Sequence, residues 1–315
     1  MTNNPTANGS KKGFGGLFVI VIVFIAIIVA LFLYLYNGSQ TKTMTFNKIY
    51  GLGYTNNGQD LYIPVQDGVE VYNKGNWKKL NADKNNYLGF AASNDGFYGS
   101  GHPGKDSKHP NPLGLIKVTN KGKDIKTLGF SKETYFQHMA VGYYSHAIYV
   151  FNPHKNSKMP SPGLYYSLND GKSWVKSAAK GLKGEPQTIA VHPKKENIVA
   201  VGTNEGLFLS KDYGKTFKLK SLNKNITSLW FGFDGYIYAG AYTNESELDK
   251  VDLKSDNVTP LDISSVEQDP IKYIAQNPKD PKQMTYSTQS NAIYTTESAG
   301  QNWVVLAKGQ GLSGK

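Results

Sequence analysis

The chain has 315 residues, enough for one large β domain or two ordinary ones. It has no cysteine and all 35 of its Lys+Arg positions are lysine, which excludes disulfides, thiol nucleophiles and any bidentate guanidinium clamp on a carboxylate or phosphate. The formal charge of +11 is spread along the chain, which suits loose attraction to anionic polymers or headgroups, and no basic helix or aromatic-basic pattern marks a nucleic-acid partner.

Residues 14–36, FGGLFVIVIVFIAIIVALFLYLY, form an uncharged apolar run. At about 1.5 Å per residue it is long enough to cross a bilayer as a helix. Lys11 and Lys12 precede it, which favours a cytoplasmic N-terminus, and Tyr34 and Tyr36 stand where an interfacial belt would lie. A cleaved signal peptide is the alternative, but the apolar core is too long and YNGSQ (36–40) offers no small-x-small site. The expectation is a single-pass cell-membrane protein. It has a cytoplasmic tail over 1–13, a transmembrane signal anchor over 14–36, a linker over 37–45, an extracytoplasmic domain over 46–308 and a tail over 309–315.

Past the linker, short runs of alternating aromatic and β-branched residues are separated by Gly, Asn, Asp and Pro. GFYGSG (96–101), HAIYVF (146–151), GLYYS (163–167), NIVAVG (197–202), GLFLS (206–210), GYIYAGAY (235–242) and NAIYTT (291–296) are examples. These read as strands, and no long 3.6-residue apolar period interrupts them, so the domain is all-β.

One octet recurs. SLNDGKSW (167–174), SKDYGKTF (210–217) and TESAGQNW (296–303) share a hydroxyl residue, a small polar residue two on, a glycine four on and an aromatic seven on. Their starts fit a period of about 43 residues with one copy missing. Eroded copies complete the series at LKSDNVTP (253–260), VTNKGKDI (118–125) and VYNKGNW (71–77). Six repeats of about four strands each predict a six-bladed β-propeller with blades near 46–80, 86–130, 135–180, 186–222, 225–261 and 270–306. Seven blades are the alternative, for which no further repeat is found. The first and last repeats read as complete, so closure is expected from blade packing, with the tail after Trp303 contributing.

The octet falls between the third and fourth strand of each blade, as the turn of the outer hairpin. Gly171, Gly214 and Gly300 would supply positive φ. Ser167, Asn169, Ser210, Asp212, Thr296 and Ser298 would accept backbone N–H groups two residues on, and Trp174, Phe217 and Trp303 would cover the apolar blade end. No histidine lies in any copy, so a serine nucleophile has no base.

These octets resemble Asp-boxes, or BNR repeats, of sialidases, sortilin-type ectodomains and a photosystem assembly factor. GFYGSGHPG, NPLGLIKVT, MAVGYYSHAIYVFN, GEPQTIAVHP and GTNEGLFLSKDYGKTF further resemble exported bacterial proteins labelled glycosylhydrolase-like, over about residues 47–308. That group tends to open on His-x-His-Gly, where this chain has Lys48 and Tyr50. The label implies analogy to sialidases, which hold the substrate carboxylate with arginines. This chain has no arginine, which speaks against sialidase activity.

In a propeller the strand 2–3 loops and the starts of the innermost strands share one face, and the octets mark the other. Two of these loops are long: HPGKDSKHPNPL (102–113) and NPHKNSKMPSP (152–162). They place His102, His109, Asp106 and His154 on one face with His138 and Glu185, which open the innermost strands of blades 3 and 4. His146 and His192 fall in strand 1–2 turns on the other face. Three uses are open for the group. One is binding a divalent metal, the only cofactor alternative to none. A second is acid–base hydrolysis with Asp106, Glu133, Glu185 or Glu205. The third is a polar rim. The leading expectation is recognition of an envelope glycan, polymer or protein; the alternative is a glycoside hydrolase-like enzyme with paired carboxylates on that face.

Overall fold

The structure is a computed structural model that describes residues 1, 22–31, 44–105, 107–263 and 268–309. The chain divides into two compact units, Met1–Lys42 and Thr43–Lys315. In the first, 22–31 is a helix with exposed apolar side chains, Phe24 and Leu31 among them. The flanking 14–21 and 32–36 of the expected anchor lie outside the described residues. Among the described residues no helix is long and apolar enough to cross a membrane.

The second unit is built from six sheets in chain order, each with four antiparallel strands from one blade. After a short β1 (Met44–Thr45), blade 1 is β2 (Gly53–Tyr54), β3 (Leu61–Val65), β4 (Gly68–Asn73) and β5 (Asn76–Lys79). Blade 2 is β6 (Asn86–Ser93), β7 (Gly96–His102), β8 (Gly114–Thr119) and β9 (Asp124–Gly129). Blade 3 is β10 (Met139–Val141), β11 (Ile148–Asn152), β12 (Gly163–Ser167) and β13 (Val175–Lys176). Blade 4 is β14 (Pro186–Val191), β15 (Val199–Thr203), β16 (Gly206–Ser210) and β17 (Lys218–Leu219). Blade 5 is β18 (Ile226–Phe231), β19 (Tyr236–Tyr242), β20 (Ser246–Asp252) and β21 (Val258–Leu261). Blade 6 is β22 (Ile271–Gln276), β23 (Met284–Thr288), β24 (Ile293–Thr296) and β25 (Val304–Lys308). The first strand of each blade touches the first strand of the next, and β2 touches β22, so the ring closes around an axis. The domain is a six-bladed β-propeller.

The apolar core is not one mass but six layers, each between consecutive blades. Tyr149, Ile189, Val199 and Phe208 fill the seam of blades 3 and 4. Tyr238, Leu248, Ile274 and Tyr286 fill that of blades 5 and 6. A four-stranded sheet has two apolar faces and can bury both only between neighbours, which is why the alternating strands demand a ring.

Closure differs from the expectation. β1 pairs in parallel with β25, Met44 against Ala307 and Thr45 against Lys308, and becomes a fifth, outermost strand of blade 6. Met44 and Thr45 fall in the expected linker. Phe46, 6% exposed, continues this strap into the seam of blades 6 and 1, with its ring 5.5 Å from Trp77. The ring is therefore held shut by chain from its start paired to chain from its end, and not by packing alone.

The octets form three near-identical networks. Ser167 Oγ accepts Gly171 N–H at 3.0 Å and donates to Asn169 Oδ1, which accepts Ser173 N–H at 3.0 Å. In blade 4 Ser210 Oγ accepts Gly214 N–H at 2.9 Å and Asp212 Oδ1 accepts Thr216 N–H at 2.9 Å. In blade 6 Thr296 Oγ1 accepts from Gly300 and Ser298 Oγ from Asn302. The hydroxyl also accepts from the N–H two residues on, at 3.4, 3.3 and 3.1 Å in the three blades. The bond from four residues on is the shorter of the two in blades 3 and 4 and the longer in blade 6. The residue at the third position accepts four residues on. Gly171, Gly214 and Gly300 have φ of 73°, 76° and 90°, a region that favours glycine.

Each of these glycines also faces the preceding blade. A Cβ at Gly171 would come 3.5 Å from Leu128, one at Gly214 2.9 Å from Leu164, and one at Gly300 2.9 Å from Leu261. The octets therefore abut the preceding blade, at the end where Ser167 pairs with Ile148 and Ser210 with Val199, opposite the loops between second and third strands. Asp170 reinforces this contact by accepting a 2.6 Å hydrogen bond from Tyr98 of blade 2. Lys158, in the long loop of blade 3, donates to Gly171 O at 2.8 Å, so octet and loop touch.

Candidate functional site: the mouth of the axial channel

The innermost strands enclose a cavity of about 400 Å³ along the axis. Its widest chemistry lies where those strands begin, and a repeated irregularity of backbone creates it. The pairing of the first two strands shifts register between Pro186 and Thr188 in blade 4, between Ile226 and Ser228 in blade 5, and between Ile271 and Tyr273 in blade 6. Blade 2 shifts between Asn86 and Gly89. Each shift leaves one or two residues out of the ladder, and a bulge re-aims the side chain it releases. The residues so released include Leu88, Gln187, Thr227 and Lys272, and all four line the cavity. Tyr50 of blade 1 and Gln137 and His138 of blade 3 line it from their own blades, so every blade contributes.

The polar groups of the wall are unevenly satisfied. Gln187 Nε2 donates to Asn225 Oδ1 at 3.0 Å and Thr227 Oγ1 to Ile271 O at 2.7 Å. Among the described residues Ser228, 1% exposed, has no hydrogen-bond partner for its Oγ, and neither has Trp230 Nε1; both residues line the cavity. Burial lowers the pKa of Lys272, and the ammonium of Lys48 lowers it further. Burial lowers that of His138 too, against a hydrogen bond with the Gln187 backbone and the charge of Glu185. Burial and the charge of Asp67 raise that of Tyr50. Among the described residues that line the cavity there is no aspartate or glutamate.

Aromatic rings crowd the other end. Tyr143 of blade 3, 3% exposed, donates through its hydroxyl to Tyr54 O of blade 1 at 3.0 Å. That bond spans non-neighbouring blades and crosses the axis. Tyr143 also packs on Phe233 of blade 5 and on Tyr144, with ring centroids 5.0 Å apart in each case.

Of the residues singled out in the sequence, His138 lines the cavity and Glu185 is close enough to act on it electrostatically. The others are dispersed. His102 Nδ1 meets Asn111 Oδ1 at 2.7 Å and its ring lies 4.6 Å from that of Tyr135. His109 Nε2 pairs with Asp83 Oδ2 at 2.6 Å. His154 is exposed in the loop it was expected to occupy. Glu133 accepts from Ser157 N and Oγ, tying that loop down, and Glu205 is exposed. Asp106 lies outside the described residues. Among the described residues no three His, Asp or Glu side chains gather as metal ligands would. The sequence reading passed over Lys272, Gln187, Thr227 and Tyr50. A usable signal was the position after the first strand residue in EPQTIAV, NITSLWF and PIKYIAQ, which holds Gln187, Thr227 and Lys272 in turn.

The histidines carry a pH signature. His138, His146 and His192 all have pKa values lowered chiefly by burial. His146 also faces Asp95, Lys117 and Asp170. A depressed folded-state pKa means that the unfolded chain binds more protons below its own value, so stability is full above about pH 6.5 and falls as pH drops through it. The melting temperature should be level from pH 7 to 8 and decline by pH 5.5. In His146→Gln the decline should be shallower, and an identical pH profile would show that His146 carries none of it.

No protein-family model matches the chain, and no curated protein matches it in sequence. Solved structures do match in shape. The tricorn protease superposes with a TM-score of 0.58 at 12% identity, over 85% of this chain and 27% of that one. The Neurospora crassa Pan2 WD40 domain gives 0.51 at 13%, over 84% and 80%. An ancestral GH74 enzyme gives 0.50 at 12%, over 85% and 39%. The chain thus spans well under half of the tricorn and GH74 chains that it matches. At such identities the likeness is one of fold alone, a β-propeller, and the count of six blades is read from the sheets of this chain.

Proposed function

We propose that this chain is an Asp-box propeller that recognises a glycan of the cell envelope at the mouth of its axial channel. The segment 14–36 would anchor it in the membrane, with the propeller on the outer side. The observation that carries the reading is the channel wall: amides, hydroxyls and aromatic rings set among aliphatic side chains from all six blades, with no carboxylate among them in the described residues. Such a wall offers hydrogen bonds and ring faces to a hydroxyl-rich ligand. Glycoside cleavage needs two carboxyl groups about 5–9.5 Å apart, so the wall supports holding a sugar better than cutting one. The octet networks support the Asp-box assignment by their shared geometry.

A glycan array probed with the full chain in mild detergent tests this. Retention of one glycan class, weakened in both Gln187→Ala and His138→Ala, is the expected result. Retention unchanged in both variants, or no glycan retained, would overturn it. Protease added to intact cells should digest 46–308 and spare 1–13; the reverse would overturn the orientation.

A further inference from the structure

Five lysines of the described structure are half-buried: Lys117, Lys220, Lys224, Lys250 and Lys272. Four of them have a carboxylate. Lys117 meets Asp95 at 2.8 Å, Lys220 meets Asp256, Lys224 meets Glu247 and Asp249, and Lys250 lies 3.7 Å from Asp234. Lys272 has none. Its closest charged company is a second cation, Lys48, whose Nζ stands 5.5 Å from the ring centre of Tyr50 in the same wall. A desolvated ammonium beside another ammonium is an unfavourable arrangement that folding alone does not explain.

The position is built, not incidental. Lys272 is the residue that the blade 6 bulge releases from the ladder toward the axis. The carboxylates felt at the mouth are Asp67, acting on Tyr50, and Glu185, acting on His138; neither lines the cavity nor pairs with either lysine. A net positive spot therefore borders a chamber that also holds two unpartnered polar groups, Ser228 Oγ and Trp230 Nε1. Ser228 Oγ belongs to a residue 1% exposed, so solvent does not satisfy it from the surface. Tyr50 and Tyr273 also line the chamber, as does Trp230 toward its aromatic end, where its ring lies 6.0 Å from that of Phe233.

We infer that the channel mouth is an acidic-sugar site, in which Lys272 and Lys48 take the carboxylate or phosphate while Ser228 and Gln187 take the hydroxyl-bearing ring and Trp230 bounds it from deeper in the channel. The inference rests on the glycan-recognition reading and narrows it to anionic sugars. A cation pair binds such a group as point charges, without the planar fork that arginine would offer, so carboxylate and phosphate are both accommodated. A cavity of about 400 Å³ admits one or two sugar units and not a folded partner.

The test uses the full chain in mild detergent and ligand-observed NMR titration with four probes: glucuronate, glucose 6-phosphate, glucose and inorganic phosphate. Glucuronate or glucose 6-phosphate should bind at least about tenfold more tightly than glucose, the scale of one hydrogen bond to a charged group. Lys272→Met should remove that preference and Lys48→Met should reduce it. The free Lys272→Met protein should melt no lower than the parent, because a half-buried charge without a carboxylate partner has been replaced by an apolar chain of similar length. Equal binding of glucose and glucuronate, indifferent to Lys272→Met, would overturn the inference while leaving glycan recognition standing. Inorganic phosphate binding as tightly as glucose 6-phosphate would overturn the sugar assignment. No binding of any probe would overturn the site, whatever the array shows.

Discussion

Lys224→Met should cost roughly 3–5 kcal/mol of stability, the usual penalty for removing one partner of a buried ion pair. Lys224 Nζ lies 2.9 Å from Asp249 Oδ2 and also contacts Glu247. Asp249 has a side chain only 3% exposed, and no well-formed hydrogen bond reaches its Oδ2, so the ammonium is the main compensation for that charge. Burial pulls the Lys224 pKa down, yet the two carboxylates outweigh it and hold the value up. Removing the lysine strands both acids. Urea unfolding measures the loss, and Lys224→Met with Asp249→Leu should recover part of it. A loss below about 1 kcal/mol would mean that water reaches Asp249 after all. The same replacement at Lys272 should be neutral or stabilising, so two half-buried lysines of one fold are expected to answer with opposite signs. That sign separates a charge that the fold uses from one that it merely tolerates.

Phe46→Ala should cost about 3–5 kcal/mol as well, by leaving a cavity where a ring was. Phe46 is 6% exposed and shares its layer with Ile49, Leu52, Ile293 and Leu306, and Trp77 packs against that layer. Unlike most core positions it lies in the seam that the strap closes. Hydrogen exchange in the variant should therefore rise first in β1, β25 and β5, before the seams of blades 2 to 5. Uniform exchange through all blades would show that the seam has no weakness of its own.

The blades were legible because the octet is a local device. Ser210, Asp212, Gly214 and Thr216 satisfy one another within seven residues, so the turn leaves its mark on contiguous sequence. The strap left no such mark. Two residues, Met44 and Thr45, make a strand too short for any alternation, and their partners lie at the far end of the domain. The mouth was half legible. His138 and Glu185 were found from strand order, since both sit where an innermost strand opens. Lys272 was not, because a bulge decides that it faces the axis, and a bulge is a property of the pairing between two strands. The histidines of the long loops were placed by residue type and loop length alone, and neither shows what a ring meets: His102 meets Asn111 and His109 meets Asp83.

The parallel pairing of β1 with β25 also sets an order of events during synthesis. Met44 and Thr45 leave the ribosome before any blade exists, and Ala307 and Lys308 only after all the others. Blades 1 to 5 can stack as they emerge, each burying a face of the one before, but the first face of blade 1 stays uncovered until blade 6 arrives. For that interval β1 offers an unpaired edge, and short length is its protection against pairing with the wrong chain. A longer strap would hold the ring more tightly once closed and would be more exposed to misassembly before closure.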